Sequence, residues 1–244
     1  MRVVTIFLCL ALCSMTSIHA QWWGNGKKIE GDGNVVTKTR TTSEYDQINV
    51  KGSLDVSLIS GSEGNIKIEG ESNLIPYVKT EIEGESLKIY VEKGYYLKVS
   101  KGKKLIVTVP FKDLNRVSLS GSGDVYGDDV IKASDFKTSV SGSGDVRLVV
   151  DADRVESSVS GSGDLILKGS TKNLECKVNG SGDIKAYDLK AKNVVASVTG
   201  SGDIKVTSTS SLKARVTGSG DIDYKGNPEK EDKKVSGSGD ITKH

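Results

Sequence analysis

The chain has 244 residues, with 34 lysines and arginines against 32 aspartates and glutamates and a formal net charge of +2. Both signs are scattered along it rather than collected into a tail, so nothing in the balance predicts a nucleic-acid partner or a strongly anionic surface. Glycine reaches 28 residues while proline and phenylalanine contribute three each. With β-branched residues between the glycines, that composition suits short strands joined by tight turns.

In chain order, Arg2, the apolar run from Val3 to Leu12 and a polar stretch ending at Ala20 read as a secretory signal peptide over residues 1–20. Leu8 precedes Cys9 and Leu12 precedes Cys13, so simple cleavage is expected rather than lipidation. No later segment approaches the roughly 20 apolar residues that span a bilayer. Loss of the leader leaves Cys176 without a disulfide partner, so stability is expected from packing. Alternation in Leu174-Glu175-Cys176-Lys177-Val178 puts that thiol on the apolar side, where a buried, inert cysteine is expected.

Residues 21–41 are expected to form a flexible lead, with Trp22 and Trp23 packing loosely on the domain and Asn34, Val35 and Val36 entering the sheet. A single solenoid domain is expected over residues 42–243, in two parts. Over residues 42–114 the pattern predicts longer, half-buried strands, as in Asn65-Ile66-Lys67-Ile68-Glu69 and Ser86-Leu87-Lys88-Ile89-Tyr90-Val91. Val50-Lys51-Gly52-Ser53-Leu54-Asp55-Val56 there is a degenerate copy of the repeat that follows.

Over residues 115–243 the motif Gly-Ser-Gly-Asp-aliphatic recurs seven times, with aspartates at Asp124, Asp145, Asp164, Asp183, Asp203, Asp221 and Asp240. Steps of 21, 19, 19, 20, 18 and 19 residues predict one stacked unit per step, an all-β solenoid in which each coil holds the motif and a second short strand. Alternation sends Val140, Gly142, Gly144, Val146 and Leu148 inward and Ser141, Ser143, Asp145 and Arg147 outward. Each motif glycine costs about 0.5–1 kcal/mol relative to alanine. Such a load implies either an opposite wall too close for a side chain or a corner with positive φ. The insertion between Gly226 and Lys234 is expected to be a solvated loop that folds over the open end.

The outward surface carries the candidate binding residues Ser122, Asp124, Ser143, Asp145, Ser162, Asp164, Ser181, Asp183, Ser201, Asp203, Ser219 and Asp221. A calcium column is disfavoured, because the calcium β-roll repeat has a residue between its second glycine and its aspartate that this motif lacks. The aspartates are instead expected to hydrogen-bond the backbone of their own glycine turns. Beyond the leader the one histidine is His244, which leaves no histidine triad, and no Gly-x-Ser-x-Gly elbow occurs. No catalytic residue, metal site or cofactor is expected.

The series Ile48-Asn49-Val50-Lys51-Gly52, Leu87-Lys88-Ile89-Tyr90-Val91, Leu105-Ile106-Val107-Thr108-Val109-Pro110 and Ser118-Leu119-Ser120-Gly121-Ser122-Gly123-Asp124 resembles the head GIN domain family of adhesin-like envelope proteins of Bacteroidota. The resemblance covers about residues 40 to 243 and implies a right-handed parallel β-helix outside the cytoplasm, with no catalytic residues to transfer. Three classes of function follow. The first is a binding or adhesion module for an extracellular glycan or protein; the second is a structural envelope protein without a ligand, partnered by other envelope components; the third is a carbohydrate-active enzyme, retained on fold alone. No sorting domain or translocator barrel follows the repeats, which counts against self-transport and leaves periplasm, outer envelope and medium open.

Overall fold

The computed structural model describes residues 26–244; the expected signal peptide and the Trp22-Trp23 pair lie outside them. In chain order the strands are β1 (Lys27–Glu30), β2 (Val35–Thr41), β3 (Gln47–Gly52), β4 (Asp55–Ser60), β5 (Asn65–Glu71), β6 (Val78–Glu83), β7 (Ser86–Val91), β8 (Tyr95–Lys98), β9 (Ile106–Phe111) and β10 (Arg116–Gly121). The repeats supply β11 (Val125–Gly142), β12 (Val146–Gly161), β13 (Leu165–Gly180), β14 (Ile184–Gly200), β15 (Ile204–Gly218), β16 (Ile222–Lys225), β17 (Lys230–Gly237) and β18 (Ile241–Lys243). A 3-10 turn, Ile75–Tyr77, joins β5 to β6.

The chain is a parallel β-solenoid, as the repeat period predicts. Gly52, Gly121, Gly142, Gly161, Gly180, Gly200, Gly218 and Gly237 pair in succession across eight rungs, so the degenerate copy at Gly52 seats as the first rung of the column. At about 4.8 Å per rung, seven steps give a wall on the order of 34 Å long. Each coil is one bent strand rather than two short ones. The expected contrast in length is also reversed: β11 to β15 run 15 to 18 residues, whereas β1 to β10 run four to seven. Backbone pairing continues through the bends of a coil, which hydrophobic alternation does not reveal.

Inside, like stacks on like. Val146, Leu165, Ile184, Ile204 and Ile222 form one buried column, and Val140, Val159, Val178, Val198 and Val216 another. The inward alternation skips where a coil bends, as at Asp153-Arg154, where two exposed residues in succession turn the chain. Cys176 lies fully buried between Leu174 and Val178, and burial pushes its thiol up to about 12. The described residues thus build their core without a disulfide.

The first end of the solenoid is closed by antiparallel pairs, β6 on β7 and β2 on β5. Residues Lys27–Glu30 and Val35–Thr41 of the segment expected as a lead are therefore strands, with Val35 and Val36 in the sheet. The expected loop over the other end is corrected: Lys230–Gly237 is strand β17, paired in parallel on Ser211–Gly218 as the continuing coil. Glu231 and Lys233 occupy the inward positions that Leu212 and Ala214 hold one coil before.

Candidate functional site

Along one edge of the solenoid run the Gly-Ser-Gly-Asp corners, and each residue type has a distinct role there. The first glycine makes the bend, with φ between +122° and +141° in all seven motifs, a region closed to side chains. From Gly52 to Gly218 the carbonyl of that glycine accepts two N–H groups from the next coil, those of the serine at 2.8–2.9 Å and of the second glycine at 3.0–3.2 Å. The second glycine lies directly on the backbone of the preceding coil. A Cβ at Gly182 would stand under 3.0 Å from the Gly163 carbonyl oxygen, and the same holds at Gly144, Gly163, Gly202, Gly220 and Gly239. The crowding comes from the neighbouring coil and not from an opposite wall. Leu54 escapes it because no motif corner precedes the first rung.

The aspartates correct a second expectation. Each accepts, at Oδ1, the backbone N–H of the aspartate one coil further on: Asp55 from Asp124, Asp124 from Asp145, Asp145 from Asp164, Asp164 from Asp183, Asp183 from Asp203, Asp203 from Asp221 and Asp221 from Asp240, at 2.7–3.2 Å. The bond runs between coils instead of within one turn, because the strand is interrupted at Ser-Gly-Asp and the aspartate N–H has lost its ladder carbonyl. Asp240, in the last coil described, turns to its own backbone, at the Ile241 N–H. The Ser-Gly-Asp corner thus has all three N–H groups satisfied from the preceding coil.

What remains outward is a regular polar surface. Ser122, Ser143, Ser162, Ser181, Ser201 and Ser219 are exposed, and Asp124, Asp145, Asp164, Asp183, Asp203 and Asp221 are exposed or half-buried beside them. The structure therefore brings all twelve candidate residues onto one face. It adds a parallel column that the motif did not single out, Ser120, Ser141, Ser160, Asn179, Thr199 and Thr217, each exposed and directly before a first glycine. The signal was the recurrent polar residue at that place in the repeat. Lys185 bridges two rungs, its Nζ 2.5 Å from Asp164 Oδ2 and 3.5 Å from Asp183 Oδ2, and the Asp164 carboxylate raises its pKa. Arg147 and Lys205 make no such pair among the described residues. No group of three or more His, Cys, Asp or Glu side chains converges there into a metal-holding cluster.

A repeated corner of this kind, stacked in register over eight rungs and closed by antiparallel strands at one end, defines a capped parallel β-solenoid. The family profile described as “Putative auto-transporter adhesin, head GIN domain” matches residues 44–228, and the chain belongs to that family. Among solved structures, a “putative adhesin” from Bacteroides fragilis superposes with a TM-score of 0.80 at 24% identity, over 88% of this chain and 100% of that one. A “Putative lipid binding protein” from Parabacteroides distasonis gives 0.75 at 29% identity over 89% and 100%, and a “putative adhesin” from the same organism 0.72 at 26% over 89% and 100%. No curated protein matches the chain.

Proposed function

We propose that the protein is an exported, non-enzymatic binding module that presents its Ser/Asp wall, from Ser122 and Asp124 to Ser219 and Asp221, to an extended glycan or protein ligand outside the cytoplasm. The observation that carries this reading is the double column of exposed polar side chains, all but Asn179 of them hydroxyls, beside corners whose N–H groups are satisfied from the preceding coil. Its polar side chains are free to contact a ligand along many rungs, each contact weak and the sum set by length. Repetition argues against catalysis, since every carboxylate of the wall has equivalents on neighbouring rungs. The family description and the neighbours described as adhesins and as a lipid binding protein support a binding role. The leader read over residues 1–20 supports export.

Glycan and matrix-protein arrays test the reading, using the protein beside a variant carrying Ser143→Arg, Ser162→Arg and Ser181→Arg. These exposed positions accept arginine without unfolding, so loss of a binding signal in the variant supports the wall. Protease accessibility on intact producing cells tests display. The uptake of the Oδ1 of each motif aspartate from Asp124 to Asp221 by the next coil favours a second reading, a structural envelope protein without a ligand. Blank arrays together with full protection from protease would establish that one instead.

A further inference from the structure

Charge is unevenly placed on this molecule. The stretches 26–31 and 92–104 together carry seven lysines, Lys27, Lys28 and five between Lys93 and Lys104, against Glu30 and Glu92. That is +5 in a chain of net charge +2, so the remaining residues sum to −3. The two stretches meet in space: β1 pairs in parallel with β8 as a two-stranded ribbon separate from the main sheet. All seven lysines are exposed. Lys28 and Lys98 share Glu30, at 2.5 and 3.6 Å, while Lys27, Lys93, Lys101, Lys103 and Lys104 make no ion pair among the described residues.

Aromatic rings stand among these cations. Tyr96 is 51% exposed, and Tyr95 packs on Tyr77 with ring centroids 4.5 Å apart. The ribbon is also fixed in place. The fully enclosed Glu71 carboxylate accepts the Gly33 N–H at 2.6 Å and the Ser100 N–H at 2.8 Å, tying the C-terminal ends of both ribbon strands to β5. Leu97, Lys103 and Lys104 share a groove with Ser53 and Asp55, so the ribbon sits at the first rung and the rest of the wall runs away from it.

We infer that this basic, tyrosine-bearing ribbon docks the protein on the anionic surface of a phospholipid bilayer, with the Ser/Asp wall projecting from the docked end. Every cation of the ribbon is a lysine. Recognition of discrete phosphates or carboxylates favours the planar fork of arginine, whereas attraction to a diffuse anionic plane needs only point charges near it. Tyrosine supplies the complementary part, an amphipathic ring that settles at headgroup depth. Each lysine close to such a surface changes partition on the order of fivefold.

Sedimentation of the purified protein with phosphatidylcholine vesicles, with and without phosphatidylglycerol, tests the proposal. Binding is expected only when phosphatidylglycerol is present, and it weakens as salt rises. The variant Lys101→Ala, Lys103→Ala, Lys104→Ala, all in an exposed turn, is expected to lose partition on the order of a hundredfold with its melting unchanged. Tyr96→Ala should weaken vesicle binding as well. Failure to sediment with phosphatidylglycerol vesicles at low salt, or a triple lysine variant that binds as the parent does, overturns it. So does binding to soluble dextran sulfate that matches vesicle binding and is indifferent to Tyr96, which assigns the ribbon to an acidic polymer.

Discussion

At Gly182 the constraint is a carbonyl oxygen rather than a conformation. A Cβ there falls under 3.0 Å from the Gly163 oxygen, and backbone on backbone has no rotamer through which to yield. Gly182→Val is therefore expected to cost at least about 3 kcal/mol, the upper end of overpacking penalties, by chemical unfolding. Ser181→Ala, one residue away on the exposed face, should stay within about 0.5 kcal/mol. A Gly182→Val variant that unfolds like the parent would refute the stacked-corner account. The aspartate ladder makes a separate demand, for an acceptor and not for a charge. Asp183→Ala leaves the Asp203 N–H without its partner and is expected to cost about 1–2 kcal/mol. Asp183→Asn keeps the acceptor and should cost less than about 0.5 kcal/mol, as aspartate and asparagine are interchangeable where a side-chain oxygen caps a backbone N–H. The exposed Lys185 pair adds little to either result. Equal losses for the two variants would mean that the charge itself is needed.

Among elements, the corner keeps its register while the rest of each coil varies. The steps of 18 to 21 residues are absorbed by bulges at Tyr126/Val130, Ile166/Gly169, Ala186/Lys190 and Ala191/Asn193, never at Gly-Ser-Gly-Asp. Three inter-coil hydrogen bonds per corner make a slip there costly, whereas a bulge elsewhere frees one ladder position to solvent. The β1–β8 ribbon depends on a different kind of tie. Hydrogen bonding from Ser100, side chain first and then backbone, with Gly33 adding, holds the Glu71 carboxyl below the ordinary glutamate range. A carboxylate whose pKa is lowered on folding contributes stability that is present above its unfolded value, about 4.3, and lost as pH falls through its native value. Acidification below about pH 4 is accordingly expected to release the ribbon, raising amide exchange at Gly33 and Ser100 before the solenoid itself opens. In Glu71→Gln those two amides should exchange faster at neutral pH and lose most of their pH dependence. Unchanged protection of both amides down to global unfolding would show that the carboxylate is not the tie.

Over the whole molecule, the repeat period made the solenoid and its inward columns legible, because a fixed step with a fixed apolar pattern has one stacked solution. The degenerate copy at Gly52 was legible too, since its spacing of outward and inward residues is that of the later motifs. Partners across coils were not: nothing in Gly-Ser-Gly-Asp distinguishes an aspartate bonded to its own turn from one bonded to the next, which depends on where the ladder breaks. The far end was misread for a related reason. Charge and a proline at Asn227-Pro228-Glu229 suggested a loop, yet pairing on β15 continues the coil and places Glu231 and Lys233 where leucine and alanine stood. Tyr224 Oη meets both Glu231 carboxylate oxygens at 3.0 Å, and Lys233 Nζ lies 3.0 Å from Glu231 and 3.1 Å from the same hydroxyl. While Val235 and Ile241 carry two other columns on to the open end, this polar plug ends the columns of Leu212 and Ala214 with groups that prefer water to another copy's core. Replacing both residues, as Glu231→Leu with Lys233→Leu, extends those columns to the open end, each leucine gaining about 1.5–3 kcal/mol if a partner covers it. The first end is closed by β6 and β2, so the new surface can be covered only by the same surface of a second copy. That geometry is isologous and closes at two. Light scattering on a sizing column is therefore expected to show a concentration-dependent dimer, not a filament, for the double variant. A variant with the parent's mass at every concentration would shift the block on stacking to the exposed strands β17 and β18 themselves.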